Sequence, residues 1–385
     1  MATSRTPSRI LTTHAGRLDG PPELRALLFA ARMEPIDLDK ASAIVPSAMI
    51  DLVRRQKDTG IDIVSDGELG KLGFGLAYYG KRLGGLTSRP IAPGETGWMS
   101  LNTGERLEFA EFYRELRWPA PTERVVCSGP VSYIGHAEVA KDIERFTAAL
   151  ANSGLTPTDA FMPVLAPGWL EHFLFNEHYE SDEEYLFALA EAIGHEYRAI
   201  VEAGFTLQVD DPALPDTYDM LVPAPAIQDY RHFAELRVDA LNHALRGIPA
   251  DRVRFHICWG SWHGPHTHDL PLKHLVDLML NVNAGAYSVE GANPRHEHEW
   301  KIWKTTRLPD DKVLIPGVVS HATNVVEHPE VVAARMIRYA SVVGRDRLIA
   351  GTDCGLGFRV HPQIAWAKLQ ALVDGAALAS QQLWP

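Results

Sequence analysis

The sequence of 385 residues is poor in cysteine, in positive charge and in long apolar runs. Its three cysteines, Cys127, Cys258 and Cys354, are too few and too scattered for a disulfide framework, so we expect free thiols in a reducing compartment. The net charge of −12 argues against nucleic acid or an anionic membrane as a main partner. No apolar run approaches the roughly 20 residues needed to cross a bilayer. The first residues contain no apolar signal core, so we expect a cytoplasmic protein.

The sequence also lacks nucleotide-binding motifs and any sign of a second domain. The stretch 70–75 has neither a complete G-x-G-x-x-G pattern nor the Lys-Ser/Thr pair of a P-loop, so we do not expect a nucleotide site. No internal repeat, low-complexity tract or interdomain linker interrupts the chain. We therefore predict a single domain over residues 1–385.

Short apolar runs alternate with helical patterns along the whole sequence. Buried strands that are separated by helices are typical of an α/β protein with a parallel sheet covered by helices. Their spread over the full length favours a closed (β/α)8 TIM barrel over a doubly wound sheet. The candidate strands are Arg9–Thr13, Ile61–Ser65, Arg124–Ser128, Ala160–Leu165, Phe205–Val209, Arg252–Ile257, Ala286–Val289, Lys312–Val318 and Arg347–Ala350. Nine candidates for eight positions mean that one is auxiliary, and the pattern does not identify it.

Two stretches interrupt this alternation. Residues 67–121 contain glycine-rich turns, the aromatic pair Tyr78 and Tyr79 and a proline-rich segment, so we predict an insertion with a hairpin over the barrel mouth. The segment Pro212–Ile227 is rich in proline and is predicted to be a long loop between a strand and a helix.

Histidines, cysteines and acids recur where the predicted strands end, and barrel enzymes carry their active sites at those ends. After one such strand, His256 and Cys258 share a face, because side chains two apart on a strand point the same way. An imidazole and a thiol placed in this way suit zinc. Taken alone, a buried His beside a buried Cys is more often structural, and a single acid at a strand end more often caps a turn.

Four residues from three predicted strands together offer one nitrogen, one carboxylate and two thiolates to a metal. They are His256, Cys258, Glu290 and Cys354. Two thiolates and a carboxylate would make bound zinc electron-rich, so that it would generate hydroxide poorly but leave a bound thiolate nucleophilic. This ligand set therefore suggests alkyl transfer to the thiol of a substrate.

These residues occur in the order and context of a known family. From Thr12 to Leu356, the chain resembles the C-terminal catalytic barrel of cobalamin-independent methionine synthase, especially the shorter single-barrel relatives that include epoxyalkane:coenzyme M transferase-like proteins. The resemblance implies zinc on the four residues above. It also implies that the first-strand turn and two acids bind the amino and carboxylate groups of homocysteine. These residues are His14, Ala15, Gly16, Arg17, Glu68 and Asp210.

The sequence departs from the family at several positions. Arg17 stands where the family has Ser, and its guanidinium either binds a carboxylate or sulfonate or points into solvent. His321 lies one position early for the family's proton-donating His, and Ser320 replaces the family's Asp, which leaves His321 as a candidate acid. Trp169 is one counterpart of the Trp that stacks on folate, and a second alignment places His136 there instead.

Two histidine-rich loops follow the predicted ligands. In the first, His263, His266 and His268 are expected to be solvated more often than to support the metal ligands. The second has no His-Glu-x-x-His spacing, so we interpret it as a helix start in which Arg295 or His296 contacts an anionic substrate.

The alkyl donor remains open at the level of the sequence. The N-terminal half of the synthase, which contributes to binding polyglutamylated methylfolate, has no counterpart here. Methylfolate, a methylated corrinoid, or an epoxide opened by coenzyme M as the thiol are all compatible with the resemblance. A barrel of this size often self-associates, although no stretch indicates an interface.

The leading hypothesis is a zinc-dependent methyl- or alkyltransferase that acts on a small thiol such as homocysteine, as in methionine biosynthesis. Zinc would activate the thiol, and His321 would manage the proton of the leaving group. The alternatives are coenzyme M-type thiol addition to an epoxide, a zinc-dependent lyase or hydrolase on the same barrel, and a protein that binds zinc or thiols without catalysis.

Overall fold

A computed structural model of the chain describes residues 8–30, 37–73, 76–116 and 121–385. The strands are β1 Leu11–Thr12, β2 Val64–Ser65, β3 Leu83–Pro90, β4 Glu123–Tyr133, β5 Ala160–Leu165, β6 Phe175–Asn176, β7 Thr206–Asp210, β8 Val253–His256, β9 Ala286–Val289, β10 Val313–Val319 and β11 Ile349–Thr352. The α-helices are α1 Pro22–Ala30, α2 Leu38–Thr59, α3 Leu76–Tyr79, α4 Gly104–Glu108, α5 Ala110–Glu115, α6 His136–Asn152, α7 Pro167–Leu170, α8 Asp182–Glu202, α9 Ala213–Met220, α10 Ile227–Ala244, α11 Val276–Leu280, α12 Pro329–Val343 and α13 Pro362–Leu383.

Eight strands form one parallel sheet in the order β1-β11-β10-β9-β8-β7-β5-β2. Its two end strands also come together, because the N–H groups of Asp62 and Ile63, directly before β2, both donate to the carbonyl of Thr12 in β1 at 3.1 Å. The sheet therefore closes on itself, and the predicted (β/α)8 barrel is confirmed. Parallel strands place all their carboxyl ends at one rim, where barrel proteins carry their sites.

The auxiliary ninth strand is the candidate Arg124–Ser128. It belongs to β4, which pairs antiparallel with β3 and parallel with β6 in a separate three-stranded sheet. The predicted hairpin is therefore not contained within residues 67–121, because only β3 lies there and its antiparallel partner β4 runs from Glu123 to Tyr133. Residues 74–75 and 117–120 of that predicted insertion lie outside the described residues.

Two helical details differ from the sequence predictions. The predicted loop Pro212–Ile227 contains helix α9, whose first turn accommodates Pro215, because the first N–H groups of a helix need no partner within it. The segment between Leu270 and Val282 has the sequence pattern of one continuous helix, but it forms a short 3-10 turn followed by α11. Pro271, directly before that turn, restricts the backbone of Leu270 to extended conformations.

The helices around the barrel are stabilised by capping residues at their ends and by rows of buried side chains along one face. Helix α2 starts where the Asp37 side chain accepts the Lys40 N–H, and it ends at Gly60, whose φ of +97° is easily adopted only by glycine. Its buried residues recur every three to four positions: Ala41, Val45, Ala48, Met49, Leu52, Val53 and Gln56. This periodicity turns one face to the barrel. No helix within the described ranges is long and apolar enough to cross a membrane.

Candidate metal and thiol site

A cavity of about 540 Å³ opens at the carboxyl ends of the barrel strands. Most of the predicted site residues line it: Ala15, Arg17, Glu68, Trp169, Asp210, His256, Cys258 and Cys354. The strand register explains part of this grouping, since Asp210 on β7 lies opposite His256 on β8. The barrel thus gathers residues that are far apart in sequence into one volume.

Three of the four predicted metal ligands meet on the cavity floor. The ligand atoms of His256, Cys258 and Cys354 lie within 4.8 Å of one another, and the two sulfur atoms are 3.4 Å apart. The short contact with Cys258 holds the pKa of Cys354 well below its usual range. Within the described chain, His256 Nε2 is buried without a hydrogen-bond partner, while Nδ1 lies 3.1 Å from Ser288 Oγ. A buried, unpartnered imidazole nitrogen facing two thiols fits zinc.

The fourth predicted ligand, Glu290, lies in a neighbouring group with His321 and Asp353, again with ligand atoms within 4.8 Å. Its Oε1 accepts the Trp259 N–H at 3.0 Å, and its Oε2 accepts an amide N–H of Asn293 at 2.8 Å. Burial raises the pKa of Glu290 to about 8. The structure therefore brings three predicted ligands together and holds the carboxylate beside them through its own hydrogen bonds.

The candidate acid His321 is buried two residues after β10. Among the described residues, neither of its ring nitrogens has a hydrogen-bond partner. Burial lowers the pKa of His321 to about 4, so the ring is neutral at neutral pH. An imidazole with two free nitrogens next to a thiol group is suited to take up and return a proton.

The first-strand turn is built on His14 and Gly16. The ring of His14 receives the Gly16 N–H on Nδ1 at 3.1 Å, and its Nε2 lies 2.7 Å from Gln56 Oε1. Burial lowers the pKa of His14 to about 4, which keeps the ring neutral beneath the turn. His14 thus shapes the turn from below, whereas Ala15 and Arg17 line the cavity.

Glu68 reaches the cavity from a strained turn after β2. Its φ of 58° lies in the left-handed region, which costs a non-glycine residue about 1–3 kcal/mol and is concentrated at functional sites. The Asp66 carboxylate accepts the Glu68 N–H at 3.0 Å and supports this conformation. Two cations lie near the Glu68 carboxylate, Arg17 at 3.6 Å and Lys71 at 3.5 Å.

Asp210 is positioned by a hydrogen bond along its own strand. The amide Nε2 of Gln208 donates to Asp210 Oδ1 at 2.7 Å and to the Ala15 carbonyl at 2.8 Å. Burial raises the pKa of Asp210 to about 7. The same amide therefore ties the acid on β7 to the first-strand turn.

The structure separates the two candidate counterparts of the stacking Trp. Trp169 lies in α7 and lines the cavity, with its ring centroid 4.6 Å from that of His172. His136 begins α6 and instead contacts Tyr133 and His195. The position of Trp169 favours the first of the two alignments.

Sequence reasoning missed a buried histidine network behind His256, Cys258 and Cys354, which we call the metal group. His266 and His296, which were expected to be solvated or to contact substrate, are 3% and 2% exposed. Both share the Asp269 carboxylate, with nitrogen–oxygen distances of 3.0 and 2.8 Å. The His296 ring stacks on the Trp259 ring with centroids 3.8 Å apart, and the backbone N–H of Trp259 donates the hydrogen bond that holds Glu290. The network therefore supports the metal group from behind.

Sequence reasoning also missed Arg254, which is fully buried inside the barrel. Its guanidinium donates to Thr13 Oγ1 and to the His14 carbonyl, each at 3.0 Å, and lies over the Phe161 ring. The inward position of Arg254 could have been predicted from the sequence, because Arg254 is two residues before His256 on the same strand and so shares its face.

The predicted insertion contacts the loop that follows Cys258. The Thr267 N–H donates to the Glu105 carboxylate at 2.9 Å, and the Trp262 indole N–H donates to the Tyr113 hydroxyl at 2.9 Å. The Tyr113 hydroxyl in turn donates to Glu105. Tyr113 and Trp262 both line the cavity, so this part of the insertion covers its mouth.

Fold and site together define a parallel α/β barrel with an imidazole and two thiols at its carboxyl rim. No family model matches the chain. The chain is 24% identical over 345 residues to a methionine synthase of Thermococcus kodakarensis, covering 88% of this chain and 84% of the relative. It is 23% identical over 380 residues to the 2-hydroxypropyl-CoM lyase of Xanthobacter autotrophicus, covering 90% of this chain and 89% of the relative.

A solved structure agrees with the fold. The B12-independent methionine synthase from Shewanella, determined in complex with selenomethionine, superposes with a TM-score of 0.74 at 20% identity, over 97% of this chain and 99% of that chain. The resemblance to cobalamin-independent methionine synthases and their single-barrel relatives is therefore confirmed.

Proposed function

We propose that the protein is a zinc-dependent methyl- or alkyltransferase acting on a small thiol of the homocysteine type. The observation that carries this proposal is the group of His256, Cys258 and Cys354 on the floor of a cavity lined by charged side chains. Similarity to a methionine synthase over 88% of the chain supports the same reaction class. Zinc held by these residues and Glu290 would supply a thiolate that remains nucleophilic at neutral pH.

The remaining residues would bind and orient the thiol. Arg17, Glu68 and Asp210 line the cavity around the metal group and offer charges to the polar end of the substrate. Trp169 offers an aromatic face for the donor. Holding both reactants in one cavity replaces a bimolecular encounter with an oriented one, and this effect can supply a large part of a rate enhancement.

His321 would handle the proton. In the reaction, the S–H bond of the thiol breaks, a carbon–sulfur bond forms and the donor's carbon–leaving-group bond breaks, so one proton must move from sulfur to the leaving group. Zinc binding would lower the pKa of the substrate thiol, so that its proton can pass to the neutral ring of His321. The burial that lowers the pKa of His321 to about 4 then makes the protonated ring a strong proton donor to the leaving group.

The test is metal analysis of the purified protein followed by zinc-edge X-ray absorption with and without homocysteine. We expect about one zinc per chain, two protein sulfur ligands, and a third sulfur after homocysteine is added. Cys258→Ser should lose zinc and thiol alkylation, whereas Cys127→Ser, whose thiol is buried in the auxiliary sheet, should retain both. A Cys258→Ser protein that keeps zinc and alkylates thiols would refute the proposal.

A second candidate function is thiol addition to an epoxide. Similarity to a 2-hydroxypropyl-CoM lyase over 90% of the chain favours it. Both functions need the same activated thiolate, so the products distinguish them. An epoxide would yield a hydroxyalkyl thioether, whereas methyl transfer yields a methyl thioether and a demethylated donor.

A further inference from the structure

His321 depends on its backbone and its packing for its orientation, because no hydrogen bond holds its ring. The side chain is fully buried, and neither ring nitrogen has a hydrogen-bond partner among the described residues. The backbone on both sides of the ring is fixed instead. The Ser320 N–H donates to the Glu327 carboxylate at 2.7 Å, and the His321 carbonyl lies 3.0 Å from His263 Nε2. The groups that fix this backbone therefore decide where the ring points.

The segment after His321, residues 322–326, has little apolar packing of its own. It lies between β10 and α12, and none of its five residues is buried. Val325 and Val326 at its tip are 70% and 40% exposed. The hydrophobic effect acts on apolar surface that is removed from water, so it contributes little to the shape of this segment. Polar contacts must hold it.

Lys368 on helix α13 supplies those contacts. Its side chain is 0% exposed, and its Nζ donates to the Val325 carbonyl at 2.5 Å and to the Glu327 carboxylate at 2.9 Å. Glu327, with a side chain that is 8% exposed, uses its other oxygen to accept the Ser320 N–H. One buried ion pair thus joins the tip of the segment, its end and the residue directly before His321 to a helix of the barrel wall.

Stability alone does not account for a charged pair in this place. Taking two charges out of water costs free energy, and apolar residues of similar volume are often at least as stabilising. An ion pair can instead fix one geometry, because both charges are satisfied only in that arrangement. Here the arrangement sets the backbone next to the candidate acid.

We propose that Lys368 and Glu327 are positioning residues, which hold the backbone of His321 so that its ring can deliver a proton to the leaving group. The inference rests on the proposed function and adds two residues to it. Neither is among the described residues that line the cavity, so both act through His321. A displacement of about 1 Å can cost about 10² in rate. The loss should appear only in reactions whose leaving group needs a proton.

Two donors separate proton delivery from attack by sulfur. Epoxypropane needs a proton, because the thiolate sulfur bonds to carbon, the ring carbon–oxygen bond breaks, and the oxygen takes up the proton that the thiol released. Iodomethane needs none, because iodide leaves as a stable anion and the thiol's proton passes to solvent. Both are small beside a cavity of about 540 Å³. The zinc-loaded full chain is assayed with homocysteine and each donor, and the thioether product gives kcat and KM.

The decisive variant removes both charges together. Lys368→Met alone would leave the Glu327 carboxylate buried without its cation and destabilise the protein, whereas Lys368→Met with Glu327→Leu replaces the pair at similar volume. This double variant should match the parent in urea unfolding, zinc content, KM for homocysteine and kcat with iodomethane. Its kcat with epoxypropane should fall about 10- to 100-fold. The matched control is Lys40→Met with Glu23→Leu, an exposed pair 3.4 Å apart, which should leave every value unchanged.

Coupling to His321 shows whether the pair acts through that ring. His321→Gln should cause the same donor-selective loss, and adding it to the double variant should cost no further activity, because residues that act as one unit are not additive. Three results would overturn the proposal: an equal loss with both donors, an unchanged epoxypropane rate in the double variant, or a parent protein that accelerates the reaction of iodomethane but not that of epoxypropane.

Zinc-edge spectra of the same samples separate this failure from failure of the proposed function. If homocysteine adds a sulfur ligand to zinc in the parent and the double variant keeps the parent's epoxypropane rate, only the positioning proposal is overturned. If homocysteine adds no sulfur ligand in the parent, the proposed function is overturned and the positioning proposal falls with it.

Discussion

Gly16 and Glu68 show that the backbone, as well as the side chains, shapes this cavity. Both have positive φ values, +123° for Gly16 and 58° for Glu68. Gly16 also lies so close to its surroundings that an added Cβ would be 3.3 Å from Glu68 Oε1 and 3.3 Å from Pro163 Cγ. The two residues are therefore coupled, because the glycine leaves the room that the Glu68 carboxylate occupies.

Gly16→Ala should destabilise the fold and weaken thiol binding together. The energetic costs of the positive φ and of the tight contact add, so we expect the free energy of unfolding to fall by about 2–3 kcal/mol. Urea unfolding and calorimetric thiol titration measure the two effects. The matched control is Gly247→Ala, where φ is +79° but no atom lies within 4 Å of the added Cβ. It should cost only about 1 kcal/mol and leave thiol binding unchanged, and an equal effect of both variants on thiol binding would contradict the coupling.

At the residue scale, residues that belong to a sequence motif could be predicted, whereas residues that matter through their contacts in the folded chain could not. Cys258, Cys354 and Asp210 follow strand ends and could be predicted from that position. Lys71 and Asp269 could not, because their importance comes from the groups that the fold brings near them. No local pattern distinguishes such a lysine or aspartate from an ordinary solvated one.

At the scale of elements, the loop after β8 is stabilised by buried charge. Burial alone would lower the pKa values of His266 and His296. Hydrogen bonds with Asp269 and, for His296, also with Glu299 outweigh burial and raise the two pKa values to about 9 and about 10. Both rings are therefore cationic at neutral pH. Because the folded pKa values exceed the ordinary value of 6.5, the stability they contribute is complete below about pH 6.5 and is lost as the pH rises toward 10.

His296→Gln should therefore destabilise the protein in a pH-dependent way. We expect a loss of about 3–5 kcal/mol at pH 6.5, because the substitution leaves the buried carboxylates of Asp269 and Glu299 with one partner fewer each. The difference between parent and variant should shrink as the pH approaches 10, where the parent histidine itself loses its charge. Urea unfolding at the two pH values measures this change. A difference that stays constant would contradict the charge assignment, and His232→Gln, at a 91% exposed side chain, should show no difference at either pH.

At the scale of the whole molecule, alternation along the sequence was enough to predict the barrel but not its boundary. The candidate Arg124–Ser128 has the same apolar, β-branched character as the barrel strands, and only its partners β3 and β6 place it outside. Strand β3 contains the pair Gly84 and Gly85, which weakens the strand pattern and hides the partner from sequence reasoning. Pairing is a property of the folded chain, so it could not be predicted from either strand alone.

Closure of the barrel depends on Asp62, which lies where strands β1 and β2 come together. The Asp62 carboxylate accepts the Thr12 N–H at 2.8 Å and the Thr12 hydroxyl at 3.0 Å, and it pairs with Arg9. Asp62→Ala leaves the partly buried Thr12 N–H without this acceptor, so we expect a loss of about 1–3 kcal/mol in the free energy of unfolding. Hydrogen exchange should show the loss first at the Thr12 and Ile63 amides, which lie where β1 meets β2. Asp310→Ala, at a 77% exposed carboxylate, is the matched control and should leave both measurements unchanged. Protected amides at this junction in Asp62→Ala would mean that the backbone hydrogen bonds alone hold the two strands together.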